Sequence, residues 1–105
     1  MTSAARGRLE QVTDAPAVGE RSEEVARLGG VVVEQILSGA LDAPVDYDQD
    51  HDEWVLLLSG GATLRVEEEI LDLAAGDWVL LGAHVRHRLL DTAPGTTWLA
   101  LHATG

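Results

Sequence analysis

The sequence predicts an all-β, antiparallel fold, a sandwich or barrel, in one small domain. Three observations lead there. From Val31 onward, short apolar and β-branched runs recur at close spacing. Turn residues separate them: Ser38-Gly39, Ser59-Gly60-Gly61, Ala74-Ala75-Gly76-Asp77 and Ala93-Pro94-Gly95. No long helical periodicity alternates with these runs, so a βαβ arrangement is excluded.

In chain order, residues 1–21 are small and polar, are broken by Pro16 and Gly19, and read as an N-terminal arm. Residues 22–28 read as a short helical turn, with Ser22 as N-cap and Val25 and Leu28 sharing a face, stopped by Gly29-Gly30. Strands are expected at 31–37, 45–50, 53–58, 62–67, 70–73, 78–81, 87–92 and 96–103. Over 62–67 the alternation is clean, with Leu64 and Val66 on one face and Arg65 and Glu67 on the other. The expected organisation is an arm at 1–21 and a barrel domain at 22–105.

A chain of 105 residues forms one domain and can fold without staples. It has no cysteine, so disulfides, thiolate catalysis and iron–sulfur ligation are excluded, and any metal must be held by nitrogen or oxygen. The net charge of −11 disfavours nucleic acid and anionic membranes. All seven basic residues are arginines and are scattered, so no stripe exists to bind phosphates. No apolar run reaches membrane-spanning length, and none follows Arg6 and Arg8 as in a secretory signal; a cytoplasmic protein is the expectation.

Two segments carry the chemistry. In an extended strand over 45–50, Tyr47 and Gln49 share one face, while Asp46, Asp48 and Asp50 share the solvent face. Glu53 opens the next apolar run, at the expected barrel mouth. In the second segment His87 begins a strand whose inward face also holds Val85, Leu89 and Asp91. Tyr47, Gln49, Glu53 and His87 therefore converge on one interior point. His84 lies in the turn just before. Glu53 has an alternative role, pairing with Arg86 or Arg88. His51 is expected in solvent, in an acidic loop; His102 is expected at a strand end, with lining the barrel as its alternative. The aspartates at 46, 48, 50 and 52 fail the calcium-loop template, because His51 stands where glycine is needed and Leu57 where glutamate is needed. No phosphate-binding glycine loop and no Gly-x-Ser-x-Gly nucleophile occurs.

These residues resemble the cupin superfamily, in particular its small single-domain bacterial members. The first cupin motif ends with Glu, six residues, then Gly, as in Glu53 and Gly60. The second has Gly, five residues, usually Pro, one residue, usually Gly, two residues, then His; Gly76, Gly82, His84 and His87 occupy those places. The runs Asp48-Gln49, Asp52-Glu53-Trp54-Val55, Arg86-His87-Arg88 and Trp98-Leu99-Ala100 add to the likeness. The resemblance implies a cupin-type antiparallel jelly-roll β-barrel. It also implies a divalent metal ion (zinc, iron, nickel or manganese) held by Gln49, Glu53 and His87. Where metal-binding members carry His-x-His, this chain has Tyr47 and Gln49, which are poorer ligands for such metals.

The leading expectation is a barrel that binds a divalent ion and a small molecule, possible activities being those of an isomerase, dioxygenase or lyase. His84 and Tyr47 are then the candidate catalytic residues, orienting substrate or moving a proton. The alternative is a non-enzymatic barrel binding a small ligand or a partner, with a decayed metal site. A third option is metal-free acid–base chemistry by Glu53 and His87. A homodimer is expected from the edge strands, the three tryptophans and the resemblance.

Overall fold

The computed structural model describes residues 4–103. It contains nine strands: β1 (Glu20–Leu28), β2 (Val31–Ser38), β3 (Val45–Tyr47), β4 (Glu53–Ser59), β5 (Gly61–Val66), β6 (Glu69–Ala74), β7 (Trp78–Leu81), β8 (His87–Thr92) and β9 (Thr96–Ala103). They form two antiparallel sheets, ordered β1-β2-β9-β4-β7 and β3-β8-β5-β6. The antiparallel all-β class read from the sequence is the observed one. The layers face each other as a jelly roll, and among the described residues no hydrogen-bonded ladder closes them into a single barrel.

The core lies between the layers. Val55 and Leu57 of β4, Leu81 of β7, and Trp98 and Ala100 of β9 meet Ala62 and Leu64 of β5 and Leu89 of β8. Each strand contributes alternate residues, so Trp54 and Leu56 point to the opposite side of their sheet from Val55 and Leu57.

The helical turn expected at 22–28 is instead part of β1. Its backbone pairs with β2 from Glu20↔Ser38 to Leu28↔Val31, with a bulge between Glu24 and Ala26. Gly29, at φ 58°, turns the chain into this hairpin. The i, i+3 apolar pair that suggested a helix finds nothing to pack against: Val25 and Leu28 stay exposed. Long-range pairing with a β-branched strand overrides a weak local preference.

The N-terminal arm is tied down. The Glu10 N–H donates to Gln35 Oε1 at 2.8 Å, and Gln35 Nε2 donates back to the Glu10 carbonyl at 3.1 Å. Further on, the arm runs so close to Gly39 that a Cβ there would lie 2.1 Å from the Pro16 carbonyl oxygen. Between these contacts Gln35 and Leu37, on one face of β2, are buried outside the main core.

β3 is shorter than expected and stops at Tyr47. Its register places Tyr47 opposite His87. Gly60, the last residue of the first motif, has φ 86°, and a Cβ there would come 2.3 Å from Thr96 Oγ1. That glycine is required by the turn between β4 and β5, not by ligand chemistry.

Candidate functional site

The two sheets enclose a cavity of about 300 Å3. Its polar wall comes from β4, β8, the β3 end, and the paired strands β2 and β9. Ile36, Val55, Leu64, Leu81, Leu89 and Trp98 form the apolar wall.

His87 and Glu53 are the centre of the polar wall, each with 6% of its surface exposed. His87 Nδ1 lies 3.0 Å from the Val85 carbonyl. A carbonyl only accepts, so Nδ1 carries the proton, and when the ring is neutral Nε2 presents a lone pair. That Nε2 faces Glu53 Oε1 at 3.8 Å. Glu53 accepts no hydrogen bond from the described residues; His102 Nε2, at 3.5 Å from Oε2, lies nearer than His87. Burial pushes the Glu53 carboxyl above its ordinary value, opposed by His102 and then His87.

Tyr47 stacks on His87, with ring centroids 5.2 Å apart and planes 12° from parallel. Its hydroxyl donates to Glu20 Oε1 at 2.9 Å. The Ser38 hydroxyl donates to the other Glu20 oxygen, and Trp98 Nε1 donates to Ser38 Oγ at 3.1 Å. Burial first, and then the Glu20 charge, push the Tyr47 phenol well above its ordinary value. It therefore remains a phenol at neutral pH, suited to orienting the His87 ring rather than to shuttling protons.

Gln49 also lines the cavity. Its main-chain carbonyl accepts from the His84 N–H at 2.6 Å, and its amide side chain makes no hydrogen bond to any described residue. His84 is not brought to the site. Its side chain is 72% exposed, rests 3.2 Å from Asp48 and stands on a backbone with φ 63°. Nor does Glu53 pair with an arginine: Arg88 lies beside Asp46 at 3.4 Å, and Arg86 is exposed.

Two acidic residues of the site, Glu34 and Glu20, were not singled out in the sequence. His102, expected at a strand end, lines the cavity with Nε2 at 3.3 Å from Glu34 Oε1. Its Nδ1 contacts His51 Nε2 at 2.9 Å, and His51 Nδ1 contacts Asp50 at 3.1 Å. His51 is thus half-buried against His102 rather than free in solvent. Glu34 and Glu20 complete the wall. The signal for His102 was its parity with Trp98 and Ala100 on β9, and for Glu34 its parity with Ile36 on β2.

Among the described residues, no group of three or more histidine and carboxylate side chains is placed to hold a metal ion. The Glu53–His87 pair does fit one ion: two acceptors face each other within the span of two bonds of about 2.0–2.2 Å. Gln49 is the available third donor.

The cupin domain family profile matches residues 32–101, two thirds of the chain. This chain is a cupin. Solved structures with the same fold include a candidate mannose-6-phosphate isomerase from Ralstonia eutropha JMP134, 32% identical, covering 94% of this chain and 100% of its own, with TM-score 0.75. A cupin superfamily protein from Desulfitobacterium hafniense DCB-2 is 18% identical, covers 97% and 94%, and has TM-score 0.73. KdgF from Halomonas sp. is 18% identical over 83% of this cupin and 82% of its own chain, with TM-score 0.71. The last two show the shared fold alone. No helix of this cupin, among the described residues, is long and apolar enough to cross a membrane.

Proposed function

We propose that this cupin binds a small molecule in its cavity beside a divalent ion held by Glu53 and His87, with Gln49 as a weaker third donor. One observation carries this reading. With the His87 ring neutral and Glu53 ionised, the Nε2 lone pair and a buried Glu53 oxygen face each other as two acceptors at 3.8 Å. Two facing acceptors are stable only with a cation or donor between them. A bound ion would supply Lewis-acid polarisation of a ligand oxygen. The chain's own residues do the rest. Val85 fixes the His87 tautomer, Tyr47 fixes its ring plane, and Glu20 holds Tyr47 in place. The apolar wall excludes water from the far side of the ligand.

The Ralstonia neighbour, at 32% identity over its full length, favours isomerisation of a sugar-like molecule over dioxygenase or lyase chemistry. A second reading is binding without chemistry, and the missing third strong ligand favours it.

Elemental analysis of protein purified without an affinity tag tests the metal. Near-stoichiometric zinc, iron, nickel or manganese, lost in both His87→Ala and Glu53→Gln, is expected. Metal-free protein that none of these ions reconstitutes overturns the reading.

A further inference from the structure

The cavity is built from acceptors. Glu20, Glu34 and Glu53 line it, together with the Gln49 amide, the Ser22 hydroxyl, and His87 and His102, whose Nε2 atoms face these carboxylates. Carboxylates accept and do not donate, and of the donors in and beside the cavity only the Ser22 hydroxyl and the Gln49 amide have no hydrogen bond to a described residue. The Tyr47 and Ser38 hydroxyls are spent on Glu20, and Trp98 Nε1 is spent on Ser38. Glu53, although nine-tenths buried, receives no hydrogen bond.

No arginine compensates. Arg21, next to Glu20 in sequence, points away and pairs with Glu10 at 2.7 Å and Glu23 at 2.8 Å. Arg88 faces Asp46, and Arg27 faces Glu24. Arg6, Arg8, Arg65 and Arg86 are exposed. The sequence contains no lysine. A phosphate or carboxylate entering this cavity meets the Glu20, Glu34 and Glu53 carboxyls and no arginine or lysine in a partly desolvated space. A molecule rich in hydroxyl or ammonium groups meets acceptors for each of them.

We infer that the small molecule is a non-anionic hydrogen-bond donor, an unphosphorylated sugar or amino sugar, and not a sugar phosphate. The inference deepens the small-molecule half of the proposed function and rests on it. The cavity of about 300 Å3 suits a single ring of monosaccharide size. Ile36, Leu64, Leu89 and Trp98 offer an apolar surface for the ring's C–H face. The 32% identity to a candidate mannose-6-phosphate isomerase supports the shared fold, while the charge of this cavity selects against the phosphate.

The test is calorimetric titration with mannose, mannosamine and mannose 6-phosphate, on tag-free protein either stripped with chelator or loaded with Mn2+. Mannose or mannosamine should bind, and the phosphate ester should bind at least about tenfold more weakly at low salt. Preference for mannosamine identifies an ammonium as the recognised group, and equal binding identifies the hydroxyls. Glu34→Gln, which keeps an acceptor for His102 but removes a charge, should narrow the gap to the phosphate ester. Equal or tighter binding of the phosphate ester, an unchanged gap in Glu34→Gln, or binding of none of the three overturns the inference. Discrimination in protein that takes up no metal overturns only the metal reading. Bound metal without discrimination overturns only this inference.

Discussion

His87 Nε2 and Glu53 Oε1 face each other across the polar wall of the cavity at 3.8 Å, both almost fully buried. In ion-free protein burial is unfavourable to the Glu53 carboxylate and raises the carboxyl above its ordinary value of 4.5, with His102 and His87 opposing that rise. The folded state then binds the carboxyl proton more tightly than the unfolded chain, so stability falls as pH rises through the raised value. Below the ordinary value both states are protonated and the penalty vanishes. Glu53→Gln keeps the neutral shape. In chelator it should melt higher than the parent near neutral pH, by roughly a few degrees, and the two should converge as the pH falls below 4.5. Thermal melts across pH check this; a lower-melting Glu53→Gln at neutral pH would show that the ionised form is stabilising.

His84 occupies the motif place where the resemblance usually has glycine, and its φ is 63°. Its ring is exposed and bonded only to Asp48. His84→Gly should therefore leave metal and ligand binding unchanged and alter stability by no more than about 1 kcal/mol, since relief of left-handed strain offsets added chain entropy. Denaturant unfolding and the same titrations measure both. Loss of binding would return His84 to the site.

Tyr47→Phe removes the hydrogen bond to Glu20 and keeps the stack on His87. The loss should be about 1–2 kcal/mol at neutral pH, because the acceptor is charged but only partly buried. At high pH the ranking changes. The folded phenol holds its proton beyond the ordinary value of 10.0, whereas the unfolded chain releases it there. The parent should lose stability as pH rises past that value, and Tyr47→Phe should lack this component of the decline. Urea unfolding at neutral and alkaline pH reads it, and parallel declines would refute it.

The sheet that supplies β4 and β9 to the cavity carries an apolar row on its other face. Val33, Leu101, Trp54 and Leu80 are register neighbours across β2, β9, β4 and β7, and Leu99, Leu56 and Trp78 form a second row. Trp78 and Leu80 are 60% and 64% exposed, and Trp78 packs on Trp54 at 6.2 Å. Copies that each carry −11 repel through most of their surface, but these two rows hold no charge. We expect a second copy of this cupin to cover the face, sheet against sheet. Sedimentation should show a dimer that Trp78→Ser with Leu80→Ser converts to monomer, with the circular dichroism unchanged. A monomeric parent sinks the expectation.

The sequence by itself determined the antiparallel all-β class, eight of the nine strands and the inward placement of Tyr47, Gln49, Glu53 and His87. Period-two alternation and turn glycines are local signals, and they act within a few residues of each other. Tertiary structure decided what local signals do not contain. It made residues 22–28 a strand, because the partner across Gly29-Gly30 supplied a ladder that a short helix could not match. It set His84 in solvent, because the turn before β8 points that residue away from the layers. It brought Glu34 and His102, 68 residues apart, into contact with each other and His102 to Glu53, because β2 and β4 both pair with β9. Parity showed which side most strand residues face, but not Asp91, which is exposed while Thr92 is buried beyond the register shift between Thr63 and Leu64; only the order of strands in the sheet decided which residues share a cavity.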